Sequence, residues 1–243
     1  MDLRLLPPET ARLWDRLRGE ALLRGFVLVG GTALAMRIGH RRSEDLDFAF
    51  VAGQTLPRLT LEQLRARLSS EGWRLATMAD PAALQEAANA GLDLEDHRQD
   101  HSVQGAGKLS FVRLRDAVTG LLAGDGASPL RVATLDEIFA TKVLAVADRS
   151  KSRDWFDLYV LMTRHGYEAS DLEWVCARVG EPQQYEIVKA RLLACRSSPA
   201  DEGYAQLLEH APAPERMREF FAAAFNDFER GAAAARIRAE RRS

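Results

Sequence analysis

The sequence predicts an α+β chain, with strands confined to the first half and a wholly helical second half. A short apolar run at Phe26–Val29 is followed by Gly30-Gly31, which is typical of a buried strand that turns tightly into a helix. The stretch 124–129 is rich in Gly, Asp, Ser and Pro and predicts a boundary. We therefore predict two domains, 1–125 and 126–243.

The elements of the first half follow from apolar spacing and from helix-boundary residues. Leucines recur at helical spacing in residues 9–24 and predict an amphipathic helix. Thr32 is expected to cap the helix after Gly30-Gly31, and Gly39 to end it. Thr60 and Gln63 have the spacing of a capping box and predict a helix at 60–70. The other elements predicted here are a strand at 45–48, a strand at 73–77, a helix at 81–90, and a hairpin of strands at 101–103 and 108–114.

The second half shows repeated helix-start signals and no strand pattern. Thr134 with Glu137, and Ser170 with Glu173, have the spacing of a capping box, in which each side chain bonds the other residue's backbone N–H. The helices predicted here are at 135–149, 153–162, from about 170, and at 183–195, 201–209 and 214–237.

Composition limits the classes of function that the chain can have. Among 243 residues, 47% are hydrophobic and 28% charged, as in soluble globular proteins. The net charge of −2 gives no overall basic field, so any contact with nucleic acid must use local patches. Cys176 and Cys195 have no metal-ligand spacing and are expected to be buried thiols. Because no apolar segment approaches the length of a membrane span and no secretory signal is recognisable, we expect a cytoplasmic protein.

The first candidate site combines two carboxylates with the Gly-Gly turn. Asp45 and Asp47 are two apart on a predicted strand, so they share one face. Two neighbouring carboxylates repel each other unless a cation lies between them, and hard oxygen ligands suit Mg²⁺. The helix start at Gly30-Gly31 offers backbone N–H groups to a phosphate. The pattern predicts a site for a metal-bound nucleoside triphosphate; the alternative is an ordinary turn beside a solvated strand edge.

The second candidate site lies in the helical half. Lys142 and Arg149 are seven apart and share a helix face, and Asp154 and Asp157 share a face of the next helix. Lys142 could supply a point charge to the phosphates that Mg²⁺ neutralises only in part. The alternative is that the two cations and two anions form a structural ion-pair network.

These motifs carry a resemblance to a known family. Gly30-Gly31-Thr32, twelve residues, and then Asp45-Leu46-Asp47 resembles the signature of the DNA polymerase beta-type nucleotidyltransferase superfamily. With Arg41-Arg42-Ser43 before the acids and the Lys142 to Leu158 pattern after them, the chain looks like the AbiEii/AbiGii family of abortive-infection toxins. The likeness covers roughly residues 20–162.

The resemblance implies a fold, a reaction and partners. The fold would be an N-terminal mixed-sheet nucleotidyltransferase domain followed by a helical C-terminal domain. The reaction would be Mg²⁺-dependent transfer of a nucleotide from a nucleoside triphosphate to an RNA, such as tRNA, or to a protein hydroxyl. The partner would be a co-encoded antitoxin. The residue roles implied are Gly30, Gly31, Thr32, Arg42, Ser43 and Lys142 for the nucleotide, Asp45 and Asp47 for the metal, and Asp45, Asp47, Lys142 and Asp157 for catalysis.

One position departs from the superfamily pattern and leaves alternatives open. Many members carry a third carboxylate on a later strand, and here the expected position holds Ser110, which cannot act as a carboxylate ligand or base. Asp154 or Asp157 could take that part, or two acids could suffice. The chain could also be a nucleotide-binding regulatory protein with a non-catalytic site. A helical interaction module is the third interpretation.

Overall fold

A six-stranded mixed sheet organises the N-terminal part of the chain in the computed structural model, which describes residues 3–196, 201, 203, 204, 208 and 211–240. The strand order is β3-β4-β5-β2-β1-β6. The pairs β1–β6 and β2–β5 are parallel, and the other neighbours are antiparallel. The strands are β1 Phe26–Val29, β2 Leu46–Phe50, β3 Leu75–Thr77, β4 Arg98–Val103, β5 Gly107–Val112 and β6 Arg131–Val132.

Helices flank the sheet in sequence and make up the rest of the described chain, which confirms the predicted α+β class. The helices are α1 Pro8–Leu17, α2 Gly30–Ile38, α3 Arg58–Ser70, α4 Pro81–Asn89, α5 Asp116–Thr119, α6 Leu135–Asp148, α7 Ser152–Arg164, α8 Ala169–Arg178, α9 Gln184–Ala194 and α10 Pro214–Glu240. The helix predicted at 201–209 falls mostly outside the described residues. Within those residues, no helix is long and apolar enough to cross a bilayer.

The chain divides into two compact units, residues 1–138 and 139–243. The first contains all six strands, and the second is helical. The expectation of a wholly helical pattern beyond residues 124–129 is wrong at Arg131–Val132, because these two residues pair with β1 as β6. The predicted boundary between 125 and 126 stays a prediction, because the division into units describes packing and not function.

The core face of the sheet is built by the alternation of side chains along β2 and its neighbours. Phe48 on β2 and Phe111 on β5 are fully buried and stacked, with ring centroids 5.7 Å apart. Trp14 of α1 stacks on Phe48 at 6.4 Å. Each such side chain contributes about 1.5–3 kcal/mol by leaving water. Because successive residues point to opposite faces, the residues between these aromatic side chains point away from this core.

The predicted helix at 9–24 is wrong in its second half. α1 ends at Leu17, and a separate 3₁₀ turn follows at Ala21–Leu23. The reason is Glu20, whose side chain accepts a hydrogen bond from the Leu22 backbone N–H and starts the new turn. Glu20 is buried and also forms ion pairs with Arg16 and Arg67. These contacts hold Glu20 at the start of a separate turn, and α1 does not continue through it.

The three predicted capping boxes had different outcomes. The box at Thr60 and Gln63 is wrong, because α3 begins at Arg58, and Pro57 at the N-cap position makes no side-chain cap hydrogen bond. Thr134 and Glu137 bond each other's backbone N–H as predicted, at 3.2 and 2.7 Å. The box at Ser170 and Glu173 is wrong, because α8 begins at Ala169 and is capped by Glu168 with Asp171. The same reciprocal bonding is made by acids two positions upstream.

Candidate functional site

Asp45 and Asp47 lie at the start of the central strand β2. Leu46 and Phe48 are completely buried, whereas Asp45 and Asp47 are partly exposed. This alternation directs both carboxylates to the face of the sheet opposite the aromatic core. In the register of the sheet, Asp47 lies beside Val29, the last residue of β1, and the carboxylates are therefore next to the turn from β1 into α2.

Gly30 begins α2 and makes room for one of these carboxylates. It has a φ of +75°, a backbone angle that residues with a side chain adopt only at a cost in energy. A Cβ at this position would lie 2.8 Å from Oδ2 of Asp47, closer than any real contact. The two parts of the sequence pattern, the Gly-Gly turn and the acidic strand, are thus in van der Waals contact.

Gly31 makes room for a cation to which the sequence analysis assigned no role. A Cβ there would clash with Nη2 of Arg41. The Arg41 side chain is buried, and its Nη1 donates a hydrogen bond to the carbonyl of Arg42 at 3.0 Å. Arg42, which the sequence analysis assigned to the nucleotide, is exposed. Two adjacent arginines cannot be told apart by spacing, but the Gly-Gly pair was a sign that something packs closely on it.

Thr32 and Ser43 connect α2 to the strand that carries the acids. Thr32 is the third residue of α2 and does not cap it, so that prediction is wrong; Val29 holds the N-cap position. Oγ1 of Thr32 lies 2.8 Å from Oγ of Ser43 and donates a hydrogen bond to the carbonyl of Asp45. Since each hydroxyl has one proton, Ser43 donates to Thr32. Both hydroxyls are used within the protein and hold the backbone at Asp45.

The donor atoms at this turn suit a hard divalent cation. Oδ1 of Asp45 accepts a hydrogen bond from the Lys108 backbone N–H at 3.0 Å, which fixes the orientation of the carboxylate. Within the described part of the chain, no group of three or more His, Cys, Asp and Glu side chains is placed to hold a metal ion. Mg²⁺ needs fewer protein ligands than that, because it is commonly held by one or two carboxylates with water and substrate phosphates. Asp45 and Asp47 fit this requirement.

Ser110 occupies the place on β5 directly beside Asp47. The parallel register pairs Asp47 with Ser110, and the antiparallel register pairs Ser110 with Asp100 on β4. Asp100, which the sequence analysis did not consider, therefore lies in the same row and on the same face. Burial alone would raise the pKa of Asp100, but the Arg98 guanidinium and the Ser110 hydroxyl outweigh it and lower that pKa. Sequence spacing could not reveal Asp100, because strand pairing alone brings it there.

The second unit brings the predicted cations and anions together. Nζ of Lys142 lies 2.7 Å from Oδ1 of Asp154 and 2.6 Å from Oδ2 of Asp157, and all three side chains are buried. Nε of Arg149 lies 2.9 Å from Oδ2 of Asp154. Burial alone would raise the pKa of Asp154, but the charges of Lys142 and Arg149 outweigh it and lower that pKa. These are the contacts of an ion-pair network, which the sequence analysis gave as the alternative to a phosphate site.

Comparison with known proteins connects both motifs to one family. The profile of the family described as "Nucleotidyl transferase AbiEii toxin, Type IV TA system" matches residues 12–238. This span includes the Gly-Gly turn, the acidic strand and the Lys142 network. An uncharacterized protein of Aquifex aeolicus is 24% identical over 219 residues, which is 90% of this chain and 95% of that protein.

Two solved structures share the fold. MenT4, a nucleotidyltransferase toxin of Mycobacterium tuberculosis, has a TM-score of 0.52 and 18% identity, covering 88% of this chain and 83% of its own. A nucleotidyltransferase candidate from H. pylori has a TM-score of 0.50 and 16% identity, covering 92% and 96% of the two chains. At these identities the likeness extends to the fold alone.

Proposed function

The chain belongs to the AbiEii family of nucleotidyl transferase toxins, found in type IV toxin–antitoxin systems, and from this we propose a reaction and a site for it. The proposed reaction is Mg²⁺-dependent transfer of a nucleotide from a nucleoside triphosphate to a hydroxyl group of an RNA or a protein. The proposed site is the turn from β1 into α2, with Asp45 and Asp47 as metal ligands.

The contact between Asp47 and Gly30 is the observation that carries the proposal. It joins a helix start, which attracts phosphate through its free N–H groups, to a pair of carboxylates that attract a cation. A triphosphate with its Mg²⁺ has both features, anionic oxygens and a divalent metal. Neither an ordinary turn nor a solvated strand edge requires a carboxylate packed against a glycine that begins a helix.

The residues of the turn would act by binding and orienting the nucleotide. The N–H groups at Gly30 and Gly31 would bind phosphate oxygens, and buried Arg41 would add a fixed positive charge beside them. Arg42 stays assigned to the nucleotide. Thr32 and Ser43 would act indirectly, because they hold the backbone of Asp45. When bound, Mg²⁺ would offset phosphate charge and polarise the phosphorus under attack.

The bonds that change are those of a phosphoryl substitution. The acceptor oxygen forms a bond to the α-phosphorus, the bond from that phosphorus to the β-phosphate oxygen breaks, and pyrophosphate leaves. The acceptor hydroxyl loses its proton, and a neighbouring carboxylate is the natural base. Asp47 is one candidate, and Asp100, two strands away in the same row, is another. Lys142 and Asp157 keep their proposed catalytic roles.

The acceptor and the partner are proposed from family membership. The proposed acceptor is an RNA, and tRNA is the first to be tested. Because the chain is slightly acidic overall, the RNA must be bound through a local patch of basic residues. A co-encoded antitoxin would counteract the activity in the cell. Nucleoside triphosphates and tRNA are cytoplasmic, and the proposed location of the protein is therefore the cytoplasm.

Labelled substrates test the proposal directly. Purified protein is incubated with each α-labelled nucleoside triphosphate, Mg²⁺ and either total RNA or cell protein. We expect label to move to one class of acceptor, and transfer to stop when EDTA removes the metal. Transfer that survives Asp45→Asn and Asp47→Asn together would overturn the assignment of the site.

A nucleotide-binding regulatory protein is the second candidate, and Ser110 is the observation that favours it. With Ser110 beside Asp47, the row lacks a carboxylate at its middle position. This candidate predicts that a triphosphate binds with Mg²⁺ and is recovered unchanged in the presence of every acceptor. Equilibrium binding and the labelled-transfer assay on the same sample distinguish the two functions.

A further inference from the structure

One edge of the six-stranded sheet is open in the part of the chain that the structure describes. Strand β3, Leu75–Thr77, ends the sheet and pairs there with β4 alone. Ala76, Thr77 and Ala79 are exposed, and Met78 is 53% exposed. An edge strand presents a row of backbone N–H and C=O groups to which another strand can bind.

The hydrogen bonds to β4 determine which backbone groups of β3 point outward. The Met78 N–H donates to the carbonyl of Asp100 at 2.8 Å, and the Gln104 N–H donates to the carbonyl of Arg74 at 3.0 Å. In an antiparallel pair, residues that bond one neighbour alternate with residues whose backbone groups point to the other side. The outward backbone groups therefore belong to Leu75, Thr77 and Ala79.

This edge lacks features that usually prevent pairing between sheets. Natural edge strands are often protected by a charged side chain or a proline. Residues 75–79 contain neither. They are flanked by charges of opposite sign, Arg74 before them and Asp80 after them, and both residues are exposed. The edge thus has an uncharged middle and oppositely charged ends.

This pattern is complementary to itself in an antiparallel pairing centred on Thr77. In that register Thr77 lies opposite Thr77 of a second copy, and Leu75 lies opposite Ala79, so the outward backbone groups of the two copies bond each other. Arg74 of each copy lies opposite Asp80 of the other. A two-fold axis therefore generates two attractions between opposite charges.

The structure holds Asp80 in a position suited to this contact. Its backbone is extended, with φ −84° and ψ 111°, so it continues the direction of β3. Its Oδ1 accepts a hydrogen bond from the Ala82 N–H at 2.9 Å. Because a carboxylate has two oxygens, Oδ2 can accept a hydrogen bond from the guanidinium of Arg74 in the other copy.

We propose that β3 pairs with β3 of a second copy and joins two six-stranded sheets edge to edge in a symmetric dimer. Met78 of each copy then lies opposite Ala76 of the other. A second copy fits this edge better than an unrelated strand, because its charges and its outward backbone groups match in the same register. A pairing of about five residues is smaller than the 800 Å² per partner of a standard interface, so the dimer should dissociate on dilution.

A cysteine on the proposed axis tests the register. In a hydrogen-bonded pair the two Cα atoms lie about 5.5 Å apart, which is within the range of a disulfide. Thr77→Cys should therefore form a covalent dimer under mild oxidation of the full chain. The native cysteines, Cys176 and Cys195, are buried and should not compete.

Ala76→Cys is the matched control for the crosslink. Residue 76 is also exposed, but in this register its two copies are offset by two residues, and their Cα atoms lie about 8 Å apart. This distance is too long for a disulfide. Equal labelling of both variants by a maleimide, at a concentration where the wild type is monomeric, checks that the two thiols are equally accessible.

Sedimentation velocity of the full chain tests the dimer without a crosslink. We expect the dimer fraction of the wild type to rise with protein concentration. Thr77→Lys should stay monomeric over the same range, because it places two like charges opposite each other. Arg74→Glu should weaken dimerisation roughly tenfold, because it replaces two attractions with two repulsions. Arg24→Glu, the same reversal at an exposed residue outside β3, is the control and should leave dimerisation unchanged.

Several outcomes would overturn the proposed dimer. They are a wild type that stays monomeric at every concentration, equal crosslinking of Ala76→Cys and Thr77→Cys, and an equal loss of dimer in Arg24→Glu and Arg74→Glu. A dimer that persists in Thr77→Lys would place the interface elsewhere. If Thr77→Lys does not fold, Arg74→Glu and the crosslinks decide. None of these measurements depends on nucleotide transfer.

Discussion

At the scale of single residues, the two glycines of the turn have separate partners. Gly30 borders the carboxylate of Asp47, and Gly31 borders the guanidinium of Arg41. An anion and a cation from the same loop-and-strand segment are therefore held on either side of one helix start. The absence of two side chains has as much effect on this geometry as the presence of the charged ones.

Gly30→Ala should abolish transfer by displacing Asp47. The new Cβ would meet Oδ2 at 2.8 Å, and the positive φ adds a cost of about 1–2 kcal/mol in stability. Gly91→Ala is the matched control, because Gly91 also has a positive φ, +74°, but has no atom within 4 Å of its Cβ position. We expect both variants to melt at lower temperature and only Gly30→Ala to lose transfer. Equal activity in the two variants would contradict the role of the contact.

Asp47→Asn should abolish transfer and growth toxicity while the melting temperature stays unchanged or rises slightly. The substitution removes a proposed metal ligand and also relieves repulsion between two carboxylates in the metal-free protein. Thermal unfolding without metal, together with the transfer assay, checks this. Glu86→Gln, an exposed change on α4, controls for the loss of one charge. A marked fall in melting temperature for Asp47→Asn would show that its role is structural.

At the scale of elements, the N-terminal helices are joined by one buried acid. The carboxylate of Glu20 accepts hydrogen bonds from Arg16 of α1 at 2.9 Å, from Arg67 of α3 at 2.8 Å and from the Leu22 N–H at 3.1 Å. Burial would raise the pKa of Glu20, but these three bonds outweigh it and lower that pKa. One side chain thus ends the first helix region and attaches it to α3.

Glu20→Gln should destabilise the protein by about 1.5–3 kcal/mol at neutral pH, the usual value of hydrogen bonds to a charged group. Because the folded pKa lies below the unfolded value of about 4.3, this contribution is complete above that pH. It is lost as the pH falls through the folded pKa. Urea unfolding of both proteins at neutral and acidic pH measures the difference. A difference that stays constant down to pH values below the folded pKa would contradict the ionic origin.

The elements that sequence could predict are those specified locally. The β1 run, the glycine that ends α2 and the Thr134–Glu137 box need only near neighbours, and all three were correct. The break at Glu20 and the internal role of Thr32 depend on partners far along the chain. Arg41 and Asp100 were missed for the same reason, since only packing and strand register bring them to the turn. Short β6 has two residues and carries no pattern of its own.

In the whole molecule, the residues proposed to bind the nucleotide come from two units that are described separately. Gly30, Asp45 and Asp47 belong to the first unit, and Lys142 belongs to the second. Lys142 already holds two carboxylates, Asp154 and Asp157. Its removal would take from two buried carboxylates the cation that they share, and breaking a buried ion pair typically costs 3–5 kcal/mol. A test of its role in binding must therefore separate a lost phosphate contact from a weakened fold.

Calorimetric titration of wild type and Lys142→Ala with a triphosphate and with its nucleoside makes this separation. If Lys142 contacts phosphate, triphosphate affinity should fall roughly ten- to a hundredfold, the value of a charge-assisted contact, and nucleoside affinity should hardly change. Arg149→Ala is the control, because Arg149 is the other cation bound to Asp154 and its own side chain is 52% exposed. We expect Arg149→Ala to spare both affinities. Equal losses for triphosphate and nucleoside in Lys142→Ala would mean that Lys142 stabilises the fold, and that the four charges are only the ion-pair network.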